Sequence, residues 1–123
     1  MKMNKKIALM LFAGAMSLSS QLWAGDDLAI IQAASDRHVQ VADIQGLKDG
    51  TAITLTGTLI KHLNQEHYEF NDGTGLILLE IDHDIWKASG IQVGDKVRAV
   101  GEVDTHRYKP TDVEVVKIEK LTQ

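Results

Sequence analysis

The sequence predicts an all-β fold: a five-stranded Greek-key barrel with a short N-terminal helix and a short connector helix between strands 3 and 4. Three observations lead there. From Thr51 onward apolar residues recur at every second position, the period of half-buried strands. Glycines stand at the joints between the alternating runs, at Gly73, Gly75, Gly90 and Gly94. Residues 73–104, reading GTGLILLEIDHDIWKASGIQVGDKVRAVGEVD, then set a strand, a short amphipathic segment and a second strand in a row.

Each element follows from its own residues. Val41, Ile44 and Leu47 recur at three-residue spacing and predict a short helix ending at Gly46 or near Gly50, placed to plug one end of the barrel. In the first strand Ile53, Leu55, Gly57 and Leu59 alternate with Thr54, Thr56, Thr58 and Ile60. A glycine in mid-strand weakens it unless the chain bends sharply or another backbone approaches closely, and a coiled first strand needs such a place. After the loop 64–66, Tyr68 and Phe70 face one way, and His67, Glu69 and Asn71 the other. The turn 71–75 leads to a third strand, 76–82, with Ile77, Leu79 and Ile81 toward the core and Leu76, Leu78, Glu80 and Asp82 outward. Burying each of the core trio is worth about 1.5–3 kcal/mol. Residues 84–89 form the connector, where Asp84 can cap and Trp86 can turn inward to close the barrel bottom. Strand 4 (96–104) directs Val97, Ala99, Gly101 and Val103 inward, and strand 5 (112–121) begins just after Pro110, where a missing N–H does least harm.

The N-terminus precedes the fold. Lys2, Lys5 and Lys6 form a positive region, residues 7–18 are an uncharged apolar run too short to span a bilayer comfortably, and Leu22-Trp23-Ala24 offers a cleavage site. Residues 1–24 are thus expected to be a cleaved signal peptide, 25–40 a lead-in of the polar kind that is often mobile, and 41–123 the barrel domain. With no cysteine in the chain, no thioether lipid can anchor it after cleavage and no disulfide can staple it. A soluble periplasmic protein without a membrane anchor is the expectation. Without the three leader lysines, ten basic residues face 17 acidic ones, a formal charge of −7. That balance disfavours nucleic acid, whose binding needs Lys and Arg against phosphates, and favours cationic partners.

Five strands with a connector between the third and fourth is the order of an OB-fold. The run Ile53-Thr54-Leu55-Thr56-Gly57, the segment Tyr68-Glu69-Phe70-Asn71-Asp72, the motif Glu80-Ile81-Asp82-His83-Asp84-Ile85-Trp86 and the piece Gly101-Glu102-Val103-Asp104 together resemble the bacterial OB-fold (BOF) family of periplasmic stress-tolerance proteins. The likeness covers nearly all of residues 41–121. It implies a small exported barrel that binds a ligand and helps the cell survive envelope stresses such as peroxide, acid, metals or cationic antimicrobial peptides. It implies no cofactor and no catalysis.

OB-folds bind through the outer face of strands 2 and 3 and the loops joining strands 1–2 and 4–5. The ligand-binding candidates on that surface are His67, Glu69, Leu78, Glu80 and Asp82, with His106, Arg107 and Tyr108 from the last loop. Carboxylates paired across neighbouring strands repel unless a cation or basic ligand lies between them. For a metal, the candidate carboxylates are Glu80, Asp82 and Asp84, but the 72–75 turn lacks the oxygen spacing of a calcium loop, and no two histidines of the barrel stand at helical i, i+4 spacing. Those histidines could instead sense acid. Nucleic-acid stacking lacks exposed aromatics beyond Tyr108, and the Asp82-His83-Asp84 run lacks a nucleophile, so neither nucleic-acid binding nor catalysis is expected.

The expected function is that of a periplasmic OB-fold protein of envelope stress tolerance. It would bind a cation, a cationic small molecule or basic peptide, or a peptidoglycan fragment through the outer face of strands 2 and 3. The alternative is an interaction module that docks on another envelope protein without a small ligand.

Overall fold

Strand β1 (Ala52–Asn64) is 13 residues long and serves two partners. Its first half pairs with β4 (Lys96–Asp104), from Ala52 opposite Glu102 to Thr58 opposite Lys96. Its second half pairs with β2 (His67–Asn71), from Thr58 opposite Asn71 to Asn64 opposite His67. Thr58 belongs to both ladders, so the strand must coil at this point, and the preceding residue is Gly57. A β-carbon on Gly57 would stand 2.6 Å from the Asn71 carbonyl oxygen and 2.7 Å from the Phe70 ring. The glycine is there because another backbone and a core ring occupy the space of its missing side chain.

The computed structural model describes residues 25–122. In it β2 continues antiparallel into β3 (Leu76–Ile81), β3 runs parallel to β5 (Asp112–Lys120), and β5 returns antiparallel to β4. The strands close in the ring β1-β2-β3-β5-β4, the five-stranded barrel that the alternation predicts. The predicted leader, residues 1–24, lies outside the described residues.

Inward-facing Ile53, Leu55, Phe70, Leu79, Ile81 and Val97 fill the barrel, and Ile77 packs half-buried against them. A 3₁₀ helix, Val41–Gly46, inserts Val41 and Ile44 near the Leu76 end of β3. Beyond the Ile81 end, α2 (His83–Ser89) lays Ile85 and Trp86 on the core, with the indole stacked on Tyr68 at 4.4 Å between ring centroids. This helix stops at Gly90, whose φ of 70° is the left-handed cap that glycine adopts without strain. Before the 3₁₀ helix, α1 (Gly25–Ala34) packs Ala34, Ile30 and Ile31 against Ala52, Val100 and Val116 on the outside of the barrel. The Thr54 hydroxyl donates to the Ala34 carbonyl at 2.8 Å, and His38 forms a parallel bridge with Thr54.

One placement differs from the sequence reading. Strand β3 ends at Ile81, so Asp82 does not share an outer strand face with Glu80. Asp82 is instead the N-cap of α2 and accepts from the Asp84 amide at 2.9 Å. Asp84, read as the capping residue, lies in the first turn that Asp82 caps. The orphan amides at a helix start attract the nearest short carboxylate, and here that is Asp82.

Candidate acidic face around Asp112

Alternation along β5 sends Val113 and Val115 into the core and turns Asp112 and Glu114 outward. Register then decides what they meet. Glu114 lies opposite Glu80 on one side and Glu102 on the other, and Asp112 lies opposite Asp104. On β2, His67 stands opposite Glu80. Five carboxylates from three adjacent strands therefore share one outer face, with a histidine at its edge. Partial desolvation and the nearby Glu80, Asp104, Glu102 and Asp112 together push the Glu114 carboxyl above its ordinary range.

Asp112 is the centre of this face. Its side chain is only 4% exposed. His106, in the loop between β4 and β5, donates from Nε2 to Asp112 Oδ1 at 3.1 Å and stands 3.5 Å from Asp104 Oδ2. Asp112 Oδ2 faces His67 Nε2 at 4.0 Å. The other nitrogen of His67, Nδ1, donates to Asn64 Oδ1 at 3.2 Å, so in the neutral ring Nε2 is a bare acceptor turned toward a carboxylate. A cation placed between two such acceptors would be favourably held by both. Two triads, His67–Glu80–Asp112 and Asp104–His106–Asp112, each bring one ligand atom per residue within 4.8 Å of one another.

Of the sequence candidates, His67, Glu80 and His106 converge on Asp112. Glu69 and Leu78 lie opposite each other further along the same strands, lining a groove of about 360 Å³ with Leu63, Leu76, Pro110 and Thr111. Arg107 and Tyr108 are exposed on the β4–β5 loop, Tyr108 by 91%. Asp82 and Asp84 are exposed at the start of α2 and belong to neither triad. Sequence reasoning missed Asp112, Glu114, Asp104 and Glu102 as site residues. Their signal was present as two acidic pairs at i, i+2, Glu102 with Asp104 and Asp112 with Glu114, which a strand projects to a single face.

A family model described as bacterial OB fold (BOF) protein matches residues 24–120. The chain belongs to the BOF family. Among relatives, an uncharacterized protein of Haemophilus influenzae is 29% identical over 89 residues, 72% of this chain and 74% of that one. Protein YgiW of Escherichia coli is 31% identical over 66% of this chain and 62% of its own length, and its solved structure superposes with a TM-score of 0.63 over 71% of this chain and 92% of that one. The calcium-regulated OB-fold protein CarO of Pseudomonas aeruginosa is 36% identical over 58% of this chain and 63% of its own length. BOF membership puts the chain among OB-fold binding proteins, a class that is generally non-enzymatic.

Proposed function

We propose that this BOF protein is a periplasmic binding module of envelope stress tolerance that takes a positively charged ligand on the outer face of β2, β3, β5 and β4. The observation that carries the reading is the convergence of Glu80, Glu102, Asp104, Asp112 and Glu114 on adjacent, register-paired strands. Like charges placed opposite each other across a sheet cost stability, and a bound cation removes that cost. The surplus of acidic over basic residues beyond the leader raises the local concentration of cationic ligands around the barrel. The export signal read in residues 1–24 and the family resemblance support the compartment and the stress role.

The groove beside the acidic face extends the ligand class. Leu63, Leu76 and Leu78 give it an apolar wall, and Glu69 gives it a charge. A basic peptide with apolar side chains satisfies both surfaces at once. The same groove favours a second reading, in which the partner is an envelope protein presenting an apolar anchor ringed by basic side chains.

The test is calorimetric titration of the protein with spermidine, with a short lysine–leucine peptide and with muropeptides. Wild type is expected to bind the first two with an affinity that falls as salt rises, and the triple variant E80Q/E102Q/E114Q to lose most of that binding. Equal binding by the triple variant would sink the acidic-face reading, and binding of muropeptides alone would transfer the function to cell-wall fragments.

A further inference from the structure

We infer that Asp112, shared between His67 and Glu80 on one side and His106 and Asp104 on the other, is the central ligand of a site for a divalent transition metal of the zinc class. The inference deepens the cation-binding reading above and rests on it.

Three observations carry it. First, Asp112 is a buried carboxylate with one oxygen left over: Oδ1 accepts from His106, whereas no hydrogen bond among the described residues reaches Oδ2, which faces His67 Nε2 at 4.0 Å. A buried ionised oxygen without a donor is costly unless a cation supplies the missing charge. Second, both imidazoles are presented through Nε2, and His67 is oriented by its Nδ1–H donating to Asn64 Oδ1. Metal-binding histidines are held in this way, with the distal nitrogen tied to an oxygen so that the ring and its tautomer are set in advance. Third, the spacing suits a small ion. Four ligands at about 2.1 Å in a tetrahedron lie about 3.4 Å apart. In the His106 group the ligand pairs stand at 3.1 Å (to Asp112 Oδ1) and 3.5 Å (to Asp104), and in the His67 group at 4.0 Å (to Asp112 Oδ2).

The donor set selects the metal class. Each group joins one imidazole nitrogen to two carboxylates, a donor set that suits zinc, cobalt, nickel and copper, whereas calcium takes six to eight oxygens and is poorly served by a histidine. Asp112 belongs to both triads through different oxygens, and is therefore the shared ligand whether the face takes one ion or two. Binding at His106 Nε2 releases the proton that it donates to Asp112 into solvent, with Asp104 completing the ligands on the His106 side and Glu80 those on the His67 side.

The test is titration of the full chain with zinc chloride against a competing chelator, repeated with cobalt(II), whose visible ligand-field bands report nitrogen and carboxylate ligation. Wild type is expected to bind zinc far more tightly than calcium. His67→Ala and His106→Ala should each lower zinc affinity by about tenfold or more, and N64A, which removes the positioning amide, by a comparable factor without moving the thermal midpoint of the metal-free protein. The two histidines are partly exposed, so their variants stay informative even where D112N fails to fold. Zinc affinity unchanged in both histidine variants, or no zinc binding by wild type, overturns the metal site. If zinc fails while spermidine still binds and E80Q/E102Q/E114Q weakens it, only this inference falls. If neither binds, the acidic-face reading falls with it.

Discussion

Asp72 holds two elements together with one carboxylate. Its Oδ2 accepts from the Val41 amide at 2.8 Å, and its Oδ1 accepts from the Thr74 amide at 2.9 Å and the Thr74 hydroxyl at 2.6 Å. It thereby caps a 3₁₀ helix whose own N-cap residue, Gln40, makes no side-chain cap. Partial burial pulls its carboxyl upward, but the hydrogen bonds from Thr74, Val41 and Gly75 outweigh burial and hold it below the usual range. A folded-state value below the unfolded one means that the ionised group stabilises the fold above the unfolded carboxylate range, and that this contribution is lost as pH falls through the folded value. Asp72→Asn is therefore expected to cost about 1 kcal/mol at neutral pH, with the difference from wild type closing in acid; urea melts across pH measure it. Glu114 behaves with the opposite sign. Its carboxyl is raised by partial desolvation first and by Glu80, Asp104, Glu102 and Asp112 after it, so ionisation at neutral pH works against the fold, to a degree that solvent at this exposed position screens, and acidification relieves it. Glu114→Gln should raise the thermal midpoint by about 2 °C at neutral pH, an advantage that shrinks as the pH falls through the raised value.

At the scale of elements, β1 carries the barrel's closure. Its switch from β4 to β2 at Thr58 depends on the close approach at Gly57, where Asn71 backbone and the Phe70 ring leave no room for a β-carbon. Gly57→Ala is expected to cost about 1–3 kcal/mol, read from the denaturant midpoint, because both neighbours are in the core or its ladder and cannot move aside cheaply. Much of this element layer was legible in the sequence. The period of two is imposed on any strand with one buried face, so Ile53, Leu55, Tyr68, Phe70, Leu79 and Ile81 showed themselves as core. The limit of β3 was less legible, since Asp82 continues the alternation past Ile81 and only the geometry of a helix start decides that it caps instead. The convergence of Glu80, Glu102 and Glu114 was not legible at all. Each carboxylate's outward direction follows from its own strand, but which carboxylates become neighbours depends on the parallel pairing of β3 with β5 and the antiparallel return to β4.

The molecule as a whole is an acidic barrel with one face of concentrated negative charge and an apolar groove beside it. Because that charge is partly self-repulsive, added monovalent salt should raise the thermal midpoint of wild type more than that of the E80Q/E114Q variant; equal rises would show that repulsion across β3 and β5 contributes nothing to the fold. The sequence by itself determined the barrel, its core, its acidic balance and its family. Those properties depend on residue type, on spacing along one strand and on motifs a few residues long. Tertiary structure alone decided that Asp112 is the centre of the site and that His67 and His106 face its two oxygens. His67 on β2 and Glu80 on β3 lie far from Asp112 in the chain, and hydrogen-bonded register between strands, which no local pattern records, brings their ligand atoms within reach of it, while His106 folds back onto Asp112 from the β4–β5 loop.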